Sequence, residues 1–127
     1  MERHDEAAYR LRAQVLKALA QPRRLRILDL LRDGERSVGE LARALEAPQA
    51  NVSQHLAALR AQELVATRRQ GTSVYYCLAH PEIAVACDLF HDVLLRRLEE
   101  SRALAEQVRR TRARRAARPA APIGGIP

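Results

Sequence analysis

The chain has 127 residues, of which 47% are apolar, and a net charge of +7 at neutral pH, which suits one globular domain rather than two. Aromatic residues make up only 3% of the chain, and this argues against a protein that stacks unpaired nucleic-acid bases on aromatic rings. No apolar run approaches the roughly 20 residues that span a bilayer, so we predict a cytoplasmic protein that does not contact a membrane.

Arginines near the C-terminus account for nearly all of the net positive charge, six of +7. Residues 109–127 contain no acidic residue, and without their six arginines the rest of the chain has a net charge of +1. These six are Arg109, Arg110, Arg112, Arg114, Arg115 and Arg118. The overall charge is therefore weak evidence for DNA binding. We predict a folded domain at residues 5–112 and a disordered tail, rich in Arg, Ala and Pro, at residues 113–127.

The first part of the chain predicts two helices. Residues 5–19 place Leu11, Val15 and Leu19 on one stripe, as in an amphipathic helix. A proline then suits the start of a second helix at residues 23–32. This helix is apolar around most of its circumference, so we expect it in the centre of the core. Its apolar residues are Leu25, Ile27, Leu28, Leu30 and Leu31.

The middle of the chain predicts two further helices joined by a short turn. Ser37 and Glu40 have the spacing of a capping box, which opens a third helix. A turn containing a proline then leads to a fourth helix at residues 49–62. The buried stripe of this fourth helix consists of Val52, Leu56 and Leu59.

A β-hairpin and a last long helix complete the prediction. Residues 64–69 and 73–78 read as strands on either side of a turn that contains Gly71. A long helix begins near Glu82, and its apolar stripe extends well past a small core. The predicted fold is mostly α with a small β-hairpin (α+β), a winged helix-turn-helix.

The fourth helix has the polar side chains that base recognition needs. A helix in the major groove reaches base edges mainly with its N-terminal residues, and Gln or Asn can pair bidentately with adenine. His55 lies beside these residues, where it either contacts DNA or packs in the domain. The residues predicted to read bases are Gln49, Asn51, Ser53 and Gln54.

The predicted hairpin has the side chains for phosphate contacts. Arg68 and Arg69 alternate across a strand, so one of them faces outward in either register. Gln70 and Thr72 add hydrogen-bonding groups at the tip. Such contacts position a protein on double-stranded DNA without specifying the sequence.

Five blocks of the chain resemble one bacterial family, the ArsR/SmtB winged-helix repressors. The blocks are residues 19–28, 37–45, 51–60, 64–65 and 68–76. The resemblance implies a homodimer that pairs through its first and last helices and binds a near-palindromic operator. It also implies that a small inducer weakens operator binding. The implied dimer interface contains Leu11, Val15, Leu19, Ile83, Cys87, Phe90 and Leu94.

The chain departs from this family at its familiar metal sites. Where many members have a Cys-Val-Cys, the matching residues here are Ser37, Val38 and Gly39, with no thiolate. At the family's other site, the matching positions include Val93 and Arg96, which cannot hold a metal ion. The second helix also lacks the cysteine of the family's persulfide sensors. We therefore predict that the chain resembles the branch of the family that lacks these metal sites, and that it binds no metal and no cofactor.

Two alternatives to this hypothesis stay open. Cys77 and Cys87, with His80 and His91, are soft ligands within a short segment, so a redox-, persulfide- or metal-responsive sensor is one alternative, while incidental packing is the plainer interpretation. The other alternative is a winged helix that binds proteins rather than DNA. An enzyme is not predicted, because no nucleophile–base pair, phosphate loop or paired carboxylates are evident.

Overall fold

The computed structural model describes residues 5–117, with side chains for residues 5–114, so residues 1–4 and 118–127 lie outside it. The chain divides after Asp88 into two compact units, the second of which begins at Leu89 within the last helix. The elements, in chain order, are α1 (Glu6–Leu19), α2 (Pro22–Leu31), β1 (Arg36–Ser37), α3 (Val38–Leu45), α4 (Gln49–Ala61), β2 (Val65–Gln70), β3 (Ser73–Leu78) and α5 (Glu82–Ala117). All five predicted helices and both predicted strands are present.

Local contacts explain where three of the helices begin. Asp5 caps α1, because its carboxylate accepts a hydrogen bond from the Ala7 amide at 3.0 Å. Ser37 and Glu40 form the predicted capping box of α3, with hydrogen bonds of 3.2 Å to the Ser37 hydroxyl and 3.1 Å to the Glu40 carboxylate. Pro22 lies in the first turn of α2, where an amide hydrogen is not needed.

One apolar core holds the first four helices and the sheet together. The predicted stripe of α4 is completely buried, since Val52, Leu56 and Leu59 are each 0% exposed. The other elements contribute Ala18, Ile27, Leu28, Leu31, Leu41, Ala42, Leu45, Leu64 and Val65. Burying these side chains is the main stabilising contribution to the unit.

The expectation that α2 lies in the centre of the core is correct for only one of its faces. Leu25 is 43% exposed and Leu30 is only half-buried. Ile27, Leu28 and Leu31 form the one face of α2 that is fully buried. A domain of this size has too little interior to cover every face of a helix.

The sheet has three antiparallel strands in the order β1-β3-β2. In the hairpin, Arg68 lies opposite Tyr75 and Arg69 opposite Val74. Gly71, the first of two loop residues, has a φ of 60°, which a type II′ turn requires and which glycine adopts without strain. The two-residue strand β1 was not predicted, because it is too short to show an alternating pattern.

The first turns of α5, up to Asp88, belong to the first unit. Ile83 and Cys87 lie against the core. Arg32, just after α2, donates hydrogen bonds of 2.8 and 2.7 Å to the two carboxylate oxygens of Asp88. Asp88 and Asp29 together hold the pKa of the Arg32 guanidinium above its usual range.

The second unit contains the rest of α5. The helix continues past residue 112 to Ala117, whereas the sequence predicted a disordered tail from residue 113. Arg and Ala are strong helix formers, which explains the extension; the remaining predicted tail, residues 118–127, lies outside the described residues. The exposed apolar residues of this unit are Leu89, Phe90, Val93, Leu94, Leu95, Leu98, Leu104 and Val108. Across the described residues, no helix is long and apolar enough to cross a membrane.

Candidate nucleic-acid interface

The outward face of α4 is polar and uncharged over its first turns. Gln49, Ser53 and Gln54 are exposed; with 3.6 residues per turn, Gln54 lies opposite the buried stripe, and Gln49 and Ser53 lie along one flank of it. Ala50 and Ala57 are exposed between and beyond them, and their methyl groups leave the helix backbone accessible. This face therefore has the short polar groups and the open approach that a groove-binding helix needs.

The other two predicted base-reading residues face α2 rather than solvent. Asn51 and His55 are half-buried, and both are held by arginines of α2. Arg23 Nη1 donates to Asn51 Oδ1 at 2.8 Å, and Arg24 Nε donates to His55 Nδ1 at 3.1 Å. The structure thus separates the predicted set into three free side chains and two that are bonded within the domain.

Burial and charge favour the neutral form of the His55 ring. The pKa of His55 is lowered, first by burial and then by the positive charges of Arg24 and Arg23. A neutral imidazole has one nitrogen that accepts a hydrogen bond, and Nδ1 accepts from Arg24 here. The electrostatics and the hydrogen bond therefore require the same protonation state.

In the hairpin, Arg68 is already bonded on several sides. Its guanidinium forms a bidentate ion pair with Glu35, with one bond of 2.9 Å from Nε to Oε2, and donates to Gln70 Oε1 at 2.9 Å. It also lies 5.1 Å from the centre of the Tyr75 ring. The ion pair lowers the pKa of Glu35 and raises that of Arg68. Arg68 and Gln70 are thus partnered before any DNA binds.

Of the four hairpin residues predicted to contact phosphates, Arg69 and Thr72 are free. Both are exposed, and neither has a hydrogen bond or ion pair within the part of the chain that the structure describes. Arg69 follows Arg68 on the strand, so it points to the opposite side of the sheet from the Glu35 contact. Its guanidinium remains available to a phosphate.

Sequence reasoning missed the partners Arg23, Arg24 and Glu35. One signal could have identified the two arginines. They lie in the first turn of α2, where the helix dipole disfavours positive charge, and no acidic residue accompanies them there. Such a placement indicates that acceptors elsewhere in the fold compensate the charge, and Asn51 and His55 are those acceptors.

The two cysteines have the environment of packed side chains. Cys77 lies half-buried on β3, opposite Ala66, and Cys87 packs against the core. Burial, first of all, raises the pKa of the Cys87 thiol, which lowers its reactivity as a thiolate. Among residues 5–114, no three His, Cys, Asp or Glu side chains are grouped to hold a metal ion. These observations favour the packing interpretation over a sensor built on Cys87.

The predicted dimer residues fall into two groups. Val15, Leu19, Ile83 and Cys87 pack against the core of their own protomer. Those that remain exposed are Leu11 on α1, at 61%, and Phe90 and Leu94 on α5, at 69% and 48%. The second group is exposed, whereas the first is half-buried.

Comparisons with known proteins identify the family and the fold of this chain. Residues 21–67 match the family described as "Bacterial regulatory protein, arsR family". The HTH-type transcriptional regulator Rv0081 of Mycobacterium tuberculosis is 41% identical over 106 residues, which is 83% of this chain and 93% of that protein. Its crystal structure superposes with a TM-score of 0.70 and covers 76% of this chain and 98% of its own.

Two further relatives carry informative descriptions. Mb0332 of Mycobacterium bovis, described as a homodimeric winged helix-turn-helix DNA-binding domain, has 39% identity, a TM-score of 0.70, and coverage of 79% of this chain and 93% of its own. The transcriptional activator HlyU of Vibrio cholerae is 48% identical over 77 residues, 61% of this chain and 71% of that protein. The winged helix-turn-helix fold, the family match and these relatives show that the chain belongs to the ArsR family of bacterial transcriptional regulators.

Proposed function

We propose that this regulator binds double-stranded DNA sequence-specifically, as a homodimer on a near-palindromic operator, and represses transcription there. One observation carries the proposal: the exposed, uncharged polar face at the start of α4 lies beside a hairpin with a free arginine. An acidic or broadly apolar face, which would suit a protein-binding winged helix, is absent from the described surface of α4. The roles divide between base readout by the helix and phosphate contacts by the hairpin.

Base readout is assigned to Gln49, Ser53 and Gln54. Their side chains are exposed in the first turns of α4, the part of a recognition helix that reaches base edges. Phosphate contact is assigned to Arg69 and Thr72 of the hairpin, which have no partners within the described residues. These contacts add affinity and orientation that do not depend on sequence.

The exposed apolar side chains support dimerisation. Leu11 on α1 and, separately, Phe90 and Leu94 on α5 are large apolar side chains left in water by a single protomer. Covering them with a second copy is favourable, and Mb0332 is described as homodimeric. A two-fold dimer presents two recognition helices about 34–36 Å apart, one turn of DNA.

Repression is proposed because it needs no part beyond those described. A dimer that occupies a promoter blocks polymerase by its presence alone. Activation, which the description of HlyU records for that relative, requires a productive contact with the transcription machinery. Placing the bound sequence across a reporter promoter separates the two outcomes, since repression lowers and activation raises reporter output when the protein is expressed.

A selection experiment tests the DNA-binding proposal directly. The full chain is used to enrich binding sequences from a pool of random duplexes. We expect one near-palindromic sequence for the wild type. In Gln54→Ala the preference should relax at one base pair of each half-site, by about 1–3 kcal/mol of discrimination.

Gln62 provides a matched control at the other end of α4. It is the C-terminal cap residue of the helix, so Gln62→Ala removes the same amide far from the predicted groove contact. We expect its sequence preference to match the wild type. If no sequence is enriched by the wild type, or if both variants relax the same base pair, the proposed recognition mode is wrong.

A further inference from the structure

Two arginines join three helices at the start of α2. Arg24 donates one hydrogen bond to His55 of α4 and another, of 3.1 Å, to the Ala18 carbonyl in the last turn of α1. Arg23 donates to Asn51, one turn before His55 on α4. All of these contacts are partly buried. The same edge of α4 is therefore held at two successive turns.

The chemistry of this cluster depends on acceptors. Two positive charges at a helix N-terminus are unfavourable unless nearby groups accept their hydrogens. The Ala18 carbonyl, Asn51 Oδ1 and His55 Nδ1 provide three such groups. Without Asn51 and His55, the guanidinium groups would lose their bonds to α4, and its orientation would rest on the apolar core alone.

The surroundings of His55 make its bond to Arg24 sensitive to protonation. From α2, Arg24 and Arg23 present positive charge to the ring, while α1 takes part through the Ala18 carbonyl bound to Arg24. The residues that α3 and β2 bury in the core near α4 are apolar, and they are Leu41, Ala42, Leu45 and Val65. A protonated ring would therefore turn an N–H towards Arg24 and add a third positive charge, and among the described residues the charged groups that act on the ring are Arg24 and Arg23.

We propose that Asn51 and His55 are positioning residues, which hold the recognition helix through Arg23 and Arg24, rather than base-reading residues. The proposal rests on the DNA-binding function proposed above. It predicts that the outward residues Gln49, Ser53 and Gln54 select the bases, while the inward pair fixes the angle at which they meet the groove. Arg24 extends this link to the last turn of α1.

Replacing His55 by Asn and by Ala tests the role of the ring. Asn carries an acceptor at nearly the position of Nδ1 but cannot take up a proton, so His55→Asn should keep the wild-type affinity for the selected duplex at pH 8. His55→Ala should bind about tenfold more weakly, the loss of one hydrogen bond to a charged group. Its sequence preference should weaken at all positions of the half-site together.

The pH profile distinguishes positioning from a merely structural role. Because the pKa of His55 is lowered, its ring takes up a proton at a pH below about 6.5, the ordinary histidine pKa. As the pH falls from 8 towards 5, wild-type affinity should therefore fall relative to that of His55→Asn, and the comparison of the two proteins removes the effects of the other histidines. Equal profiles for the two proteins would overturn the proposal, as would His55→Asn losing affinity as fully as His55→Ala.

A double-mutant cycle tests the Arg23–Asn51 contact. If Asn51 acts only through Arg23, the variant with both Arg23→Ala and Asn51→Ala should bind no more weakly than either single variant. A base contact by Asn51 would instead make the two losses add and would relax one base pair. If His55→Ala does not fold, His55→Asn and this cycle decide the outcome. If the wild type bound no duplex, the proposed DNA-binding function would be wrong. That result would leave the hydrogen bonds of Asn51 and His55 to α2 unchanged.

Discussion

Helix α4 and the β2–β3 hairpin are both assigned to DNA, but they are held in place by different means. Three side chains of α4 are completely buried, and its inner edge has two partly buried hydrogen bonds to α2. The hairpin buries only Val65 fully, and its outer part is held by the exposed contacts of Arg68 with Glu35 and Tyr75. The helix proposed to select sequence is therefore fixed by the core, whereas the outer part of the hairpin depends on surface contacts for which water, salt and phosphate compete.

The largest expected difference between the two regions is in stability. Leu56→Ala should lower the free energy of unfolding by about 2–5 kcal/mol, because it removes a completely buried side chain and leaves a cavity. Val74→Ala, in the half-buried part of the hairpin, should cost about 1 kcal/mol or less. Urea unfolding of both variants measures this. Equal losses of unfolding free energy in the two variants would show that the hairpin is packed as tightly as the helix.

The next effect concerns the free arginine of the hairpin. Arg69→Ala should weaken binding to specific and random duplexes alike, because a phosphate interaction does not depend on sequence. The slope of binding against salt concentration should fall by about 0.9 for each phosphate that the variant no longer neutralises. The measurement is affinity over a series of salt concentrations.

A charge-balanced variant provides the control for Arg69. The double change Glu35→Gln with Arg68→Gln removes one charge of each sign and leaves Arg69 in place. We expect its salt dependence to equal that of the wild type. If this double variant lost more DNA affinity than Arg69→Ala, Arg68 would have to leave Glu35 and bind phosphate. Arg68, rather than Arg69, would then be the main phosphate contact of the hairpin.

The smallest expected effect comes from releasing Arg68. Glu35→Gln removes the carboxylate that now holds the guanidinium, so Arg68 becomes available to phosphate and binding should strengthen by a few-fold. The salt dependence should steepen by up to about 0.9 for each protomer. Glu99→Gln changes the net charge equally at an exposed site and should have a much smaller effect. Equal gains in both variants would attribute the change to net charge alone.

The sequence was sufficient to predict the order of the elements and most of the core. Periodicity and capping signals predicted the helices, and the apolar stripe of α4 is buried as expected. Leu25 was placed in the core wrongly, because a helix that is apolar around most of its circumference does not show which face a small core can cover. The strand β1 forms only because Arg36 and Ser37 pair with β3, and nothing in the local sequence encodes that partner.

The candidate site was predictable in residue type but not in which side chains are free. Arg68 and Arg69 are adjacent and chemically identical, yet only one of them meets Glu35, which lies 33 residues away in the chain. Similarly, 28 residues separate Asn51 from Arg23. Hydrogen bonds between such distant residues depend on how the elements pack. The geometry therefore decides which polar residues remain for DNA.

The exposed apolar face of α5 has a consequence for how the regulator responds to its own abundance. In the proposed dimer, Phe90 and Leu94 are covered only when two protomers meet, so the DNA-binding species forms in proportion to the square of the protomer concentration while monomers predominate. A modest change in synthesis or degradation would then produce a larger change in operator occupancy. The same mass action would raise the melting temperature with protein concentration.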